Sequence, residues 1–225
     1  MGGAEPHLDD PSTRHHPHLI TSSEDLEALV RDLSGADGVV ALNIETCPPE
    51  RALDPRNGSI RLISVATGEL NKAVDVSKIH PGPLLEALKS RTLLLFNARF
   101  DLSFLKSVFG YEHKGKVQDV MLMHLINYFA AGKRVEKKGR MYLEDPDKTE
   151  GISDLGSVAK LYLGEPLDKS QQDSDWSTPY LSEEQITYAL NDTGILLPLK
   201  EALEARLCEL GLLEVVDIEN RALLG

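Results

Sequence analysis

Apolar residues recur at helical spacing at Leu26, Leu29, Val30 and Leu33, directly after a capping box at Thr21 to Glu24. Gly35 and the Ala-Asp-Gly behind it end that helix. The period then changes. GVVALNIET is β-branched and apolar, too dense for a half-exposed edge, and reads as a central strand. CPPERALDPRNGS is a Pro-rich loop with Asn57-Gly58 as a turn. SIRLISVAT and KAVDVS alternate as two further strands joined in a hairpin at Gly68 to Asn71. Pro81 opens a short helix through Leu84, Leu85 and Leu88. TLLLFN is another buried strand, and ARFDLSFLKSVFG a helix closed by Gly110. Three helical stretches follow, over 117–130, 153–163 and Ser182 to about Leu210. This order predicts one α/β domain with a mixed sheet.

Before this pattern, residues 1–19 carry Pro6, Pro11 and Pro17 and no hydrophobic period, which predicts a flexible tail. His15, His16 and His18 cluster there, as a metal-binding group or simply as tail residues. Residues 132–152 are polar and predict an irregular arm, with Lys133, Arg134, Lys137, Lys138 and Arg140 as a basic group. That group reads either as a guide for a phosphate backbone or as a solvated loop.

Composition narrows the classes. Of 225 residues, 41% are hydrophobic and 27% charged, an ordinary folded balance, and no apolar run approaches a membrane span. The first residues lack the apolar core of a secretion signal. Cys47 and Cys208 are too few for a disulfide scaffold and fit a reducing cytoplasm. Cys47 has no partner at nucleophile spacing, and two glycosylation-type sequons, at Asn57 and Asn191, have no secretory context. The net charge of −12 argues against blanket neutralisation of duplex DNA. It is compatible with carboxylates that gather divalent cations.

Three places carry candidate chemistry. On the first strand Val39, Ala41, Asn43 and Glu45 share a face that turns polar only at its carboxyl end, where open α/β sheets place ligands. The alternative is a strand end emerging into solvent. In FNARFDLSFL, Asn97 and Asp101 lie four apart at a helix start. An acid there also serves a helix N-terminus, and would then be exposed. In ITYALNDTGILLPL, Tyr188 and Asp192 share a face among Ile186, Ala189, Ile195 and Leu196. An acid in such a run needs a cation or a hydrogen-bonding partner.

The order and spacing of these places resemble the DnaQ-like 3′–5′ exonucleases of the acidic DEDD group, in the variant with a tyrosine in the third motif (DEDDy). LNIET resembles the first motif, normally Asp-x-Glu. NARFDLSFL is similar to the second, and Tyr188-Ala-Leu-Asn-Asp192 to the third. SIRLISVATGEL and LDKSQQDSDWSTPYLSEEQITYA also look like this family, and the likeness runs from about residue 20 to 210. It implies a ribonuclease H-like fold with a mixed central sheet flanked by helices. It also implies two-metal-ion phosphodiester hydrolysis with magnesium or manganese. Carried onto this chain, the catalytic set is Asn43, Glu45, Asp101, Tyr188 and Asp192. All but Tyr188 stand at metal-ligand positions, and Tyr188 positions or helps activate the attacking water.

The departure is Asn43, where the family has the Asp that touches both ions. An amide keeps the shape and loses the charge, which predicts weakened metal binding and little or no cleavage. A deliberate inactivating substitution is favoured over natural degeneracy. The likeness also marks Thr46, Asn97 and Phe100 as contacts for the terminal nucleotide, whereas Trp176 reads as packing before base stacking. The expected partner is a single-stranded DNA 3′ end, as in proofreading, with a nucleoside monophosphate as product and no membrane. LEVVDIENRALLG resembles the start of the lead-in to a family A DNA polymerase. The expected division is therefore a tail over 1–19, the exonuclease domain over 20–212, and an extension over 213–225 that leads toward a linked or associated polymerase. A ribonuclease D-like RNA exonuclease and a naturally inactive end-binding module are the alternatives.

Overall fold

The computed structural model describes residues 16–131, 134–137, 140–143, 154–164 and 166–223. The chain enters through a short strand, β1 (Leu19–Ile20), and the helix α1 (Ser23–Gly35). The cap of α1 is Ser22, one residue later than the pattern suggested, and its hydroxyl accepts a hydrogen bond from the Asp25 N–H. β2 (Val39–Cys47), β3 (Ser59–Ala66) and β4 (Asn71–Asp75) follow, then α2 (Gly82–Leu88), β5 (Thr92–Leu95) and α3 (Ala98–Phe109). The β3–β4 connection is the expected hairpin, closed by the Thr67 N–H donating to the Leu70 carbonyl at 2.8 Å.

Three expectations need correction. The stretch 117–130 begins as a strand, β6 (Val117–Asp119), before α4 (Val120–Ala131), because Val117 extends the sheet edge beside Leu93. The arm contains an antiparallel hairpin, β7 (Arg134–Lys137) with β8 (Arg140–Leu143), in which β-favouring Val135 lies opposite Tyr142. Arg134, Lys137 and Arg140 lie on its strands, while Lys133, Lys138 and His15 lie outside the described residues. After α5 (Leu155–Leu163), the long final helix is two helices, α6 (Glu183–Gly194) and α7 (Leu196–Glu209), hinged at Ile195. A last helix, α8 (Leu213–Ala222), packs against α4, α7 and β6.

The main sheet runs β1-β4-β3-β2-β5-β6 and is mixed, as expected, with β3 the strand opposed to all the others. Alternation along β2 separates two layers. Val40, Leu42 and Ile44 join the core under α1, α2 and α3. Ala41 faces α4, α5, α7 and α8 on the other side. Beside that second core a smaller one, built of Leu62, Ala73, Trp176, Ile186, Tyr188, Ala189 and Leu190, seats α6 on the sheet. Among the described residues no helix is long and apolar enough to cross a membrane.

Candidate active site

The centre of β2 is apolar, and its carboxyl end is where the side chains turn polar. Asn43 lies opposite Ser64 and Glu45 opposite Leu62, both half-buried, and the Asn43 amide donates to Glu45 Oε1 at 3.2 Å. Immediately beyond, the β2–β3 register slips between Glu45 and Thr46, so that Arg61 is an extra residue on β3. The bulge turns Arg61 toward α6. There it forms a bidentate pair with Asp75, both contacts at 3.0 Å, and donates to the carbonyls of Trp176 and Thr178. These bonds fix the segment leading into α6 and set Trp176 beside Tyr188, with ring centres 6.2 Å apart.

α6 begins with a complete capping box between Ser182 and Gln185. Its register puts Tyr188 and Asp192 on the buried face, each 6% exposed. Gly194 admits β4 to the helix end: a Cβ there would lie 2.9 Å from Asn71 Nδ2, which donates to the Leu190 carbonyl. Asp101 comes from the opposite layer. It is 2% exposed, and its Oδ1 accepts the Ile44 N–H at 3.1 Å, so the second-motif acid is hydrogen-bonded to the strand carrying the first. The exposed helix-start alternative for Asp101 is thereby excluded. Asn97 caps α3 in the left-handed region at φ 62°, a conformation asparagine tolerates.

The carboxylates oppose one another. Burial, then the charges of Asp192 and Asp101, push Glu45 up to about 8, against the Asn43 amide and Lys169, which pull it down. Burial also raises Asp101 and Asp192. The Tyr188 hydroxyl is pushed up by burial and by the negative charge of Asp192 and Glu45, so it stays a protonated phenol. Asp192 Oδ2 lies 3.6 Å from Lys169 Nζ, while its Oδ1 is buried without a hydrogen-bond partner. An all-oxygen donor set with an orphaned buried carboxylate oxygen fits a hard divalent cation in kind. In number it falls short: among the described residues no three Asp, Glu, His or Cys side chains are arranged to hold one ion.

The structure thus gathers Asn43, Glu45, Asp101, Tyr188 and Asp192 around the end of β2. Of the expected nucleotide contacts, Asn97 is exposed and Phe100 half-exposed against Phe104. Thr46 is buried, its hydroxyl donating to the Ala52 carbonyl at 2.7 Å. Trp176 is packing, at 3% exposure. Of the histidine cluster, His16 pairs with Glu183 and His18 lies 3.0 Å from the Asn71 carbonyl, while His15 is outside the described residues. Sequence reading did not single out two participants. Lys169 sits in the polar LDKS segment, where no apolar period marks it. Asp119 braces the second motif by accepting the Asn97 and Ala98 N–H groups at 3.0 and 2.8 Å. Its only trace in the sequence is an acid directly ahead of an apolar helix.

The chain is 26% identical to DNA polymerase I of Aquifex aeolicus over 152 residues, covering 67% of this chain and 22% of that protein. It is 27% identical to the human exonuclease mut-7 homolog over 204 residues, covering 86% of this chain and 23% of that one. This chain therefore spans about a quarter of these relatives. Escherichia coli RNase D, an exoribonuclease, shares the fold at a TM-score of 0.71 and 23% identity, over 92% of this chain and 49% of that one. The Aedes aegypti Nibbler EXO domain superposes at 0.69 and 22% identity, over 95% of this chain and 98% of the domain. A family model described as 3′–5′ exonuclease matches residues 17–208, and the chain belongs to that family.

Proposed function

We propose that this chain is built to hydrolyse phosphodiester bonds one nucleotide at a time from the 3′ end of a single DNA strand, with residues 20–212 as the catalytic unit. The carrying observation is the buried, partnerless Asp192 Oδ1 beside a Glu45 whose ionisation is suppressed, which is how an acid pair reads when its counter-charge comes from outside the chain. Glu45, Asp101 and Asp192, which with an amide at position 43 do not form a ready three-ligand site, are the residues that would hold magnesium or manganese, and such ions when bound supply a nucleophile at neutral pH and stabilise the leaving oxygen. The remaining work belongs to side chains. Tyr188 keeps its proton and donates a hydrogen bond that orients the attacking water; it is not the base. Trp176 fixes the Tyr188 ring, and the Ile44 N–H fixes Asp101. Asn97 and Phe100, at the cap and on the first turn of the helix that carries Asp101, would contact the terminal nucleotide. Thr46, whose hydroxyl is spent on Ala52, contributes shape alone.

Asn43 withdraws one charge from this set and offers an N–H to Glu45, where the family places a carboxylate. Cleavage by the chain as it stands is accordingly expected to be slight. The polymer is the finer point. The likeness to a DNA polymerase I supports DNA, with a linked or associated polymerase as its setting. The longer match to a mut-7 homolog and the shared fold with an RNase D support RNA as the second reading.

The test compares the chain with its Asn43→Asp variant on 5′-labelled single-stranded DNA and RNA, in magnesium, manganese or EDTA. A metal-dependent ladder from the 3′ end in the variant, at least about a hundredfold faster than in the parent, is expected. The preferred polymer then decides between the two readings. A folded variant that binds 3′ ends and cuts neither polymer would leave an end-binding module in place of the enzyme.

A further inference from the structure

Lys169 lies on neither the strand nor the helices that carry the acids, yet its ammonium reaches them. Its Nζ is 3.6 Å from Asp192 Oδ2 and 5.8 Å from the centre of the Tyr188 ring, with the side chain 30% exposed. Its stem crosses the first turn of α5 at Gly156, where a Cβ would lie 2.8 Å from Lys169 Cε. A glycine at that place leaves the passage open. The lysine charge acts on Glu45 and on Asp154 as well as Asp192. A monovalent cation is thus built into the mouth of the acid cluster, on the carboxylate whose other oxygen is orphaned.

A divalent ion between Glu45 and Asp192 and an ammonium on Asp192 repel each other and draw on the same carboxylate. The two do not reach closest approach together. Lys169, on a long stem with water on one side, is the one free to yield. We propose that Lys169 is a tethered counter-cation that competes with the divalent ion for Asp192 and, when displaced, turns its ammonium to the substrate phosphodiester. The proposal rests on the nuclease reading of the site. Competition of this kind is reciprocal: the ion weakens the Lys169–Asp192 pair by the factor by which the pair weakens the ion.

Manganese binding to the full chain, followed by the electron paramagnetic resonance of free Mn2+, tests the first half. The parent and the Asn43→Asp chain would each be measured with Lys169, with Lys169→Met and with Lys169→Arg. In the Asn43→Asp chain, Lys169→Met should tighten Mn2+ about tenfold while Lys169→Arg leaves it near the starting value. The second half is read by fluorescence anisotropy of a single-stranded oligonucleotide in calcium, where Lys169→Met should bind several-fold more weakly and Lys169→Arg should not. Equal or weaker Mn2+ binding in Lys169→Met overturns the competition. Unchanged oligonucleotide affinity overturns the phosphate contact. Mn2+ that binds none of the chains would sink the nuclease reading itself and this proposal with it, a result distinct from Mn2+ that binds equally with and without the lysine.

Discussion

Glu45 shows how one side chain ties the site to the stability of the fold. An ordinary glutamate releases its proton near pH 4.5, and this one is held up to about 8. Between those values the folded chain keeps a proton that the unfolded chain has lost, so raising the pH through that window destabilises the fold. The limiting slope is about 1.4 kcal/mol per pH unit, and this contribution levels off above the folded value. Urea denaturation in EDTA from pH 5 to 8.5 should show the decline, and Glu45→Gln should make it shallower. An equal slope in the variant would exclude Glu45 as its source. Asp101 and Asp192 add in the same direction, since burial raises both. At this scale the sequence was informative wherever an acid, amide or phenol fell on an apolar face, as Asn43, Glu45, Asp101, Tyr188 and Asp192 did. It was silent on Lys169, because a lysine in a polar segment looks the same whether it meets solvent or a carboxylate.

The elements themselves are joined by hydrogen bonds that the apolar period does not register. Asp119, at the end of β6, accepts the N–H groups of Asn97 and Ala98 at the start of α3, and those of Met121 and Leu122 in α4. Its own N–H donates to the Asn220 side chain on α8 at 3.0 Å. One buried carboxylate therefore sets the left-handed turn at Asn97 and the direction in which Asp101 is delivered. Asp119→Ala strands several donors at once and is expected to cost about 2–4 kcal/mol, read as a fall in the urea midpoint. In the Asn43→Asp background it should also slow cleavage. A loss of stability with undiminished cleavage would show that the brace is merely structural. Most elements were legible from their periods, and the misses have physical causes. A three-residue strand is too short to show alternation, which hid β6. The α6–α7 break did leave a mark, since Pro198 in a continuous helix would meet the carbonyl of Gly194.

For the molecule as a whole, an α/β domain with a mixed sheet followed from the order of periods, and the family, with its helices flanking the sheet, from three short motifs. The bulge that sends Arg61 toward α6 did not, because an arginine in an alternating strand reads as an outward residue. In the fold Arg61 is 4% exposed and joins β3, β4 and the segment before α6. Arg61→Met leaves Asp75 buried with no cation and is expected to destabilise by about 3–5 kcal/mol, measurable by chemical denaturation. It should also make residues 174–179 newly susceptible to proteolysis, and uniform resistance there would argue that Trp176 is held by packing alone.

The separate small core under α6 has a kinetic meaning. Tyr188 and Asp192 ride on a helix seated on the sheet through a small cluster with Leu62, Ala73 and Trp176, while Asn43 and Glu45 belong to the central strand and Asp101 to a helix on the other face. The site is therefore divided between two parts of unequal permanence, and peeling back a single helix dismantles it while the sheet stays intact. Native-state hydrogen exchange should find the α6 amides opening together at denaturant concentrations that leave β2 and β3 protected. Any ligand bridging β2 and α6 would act as a clasp, slowing that opening in proportion to its occupancy.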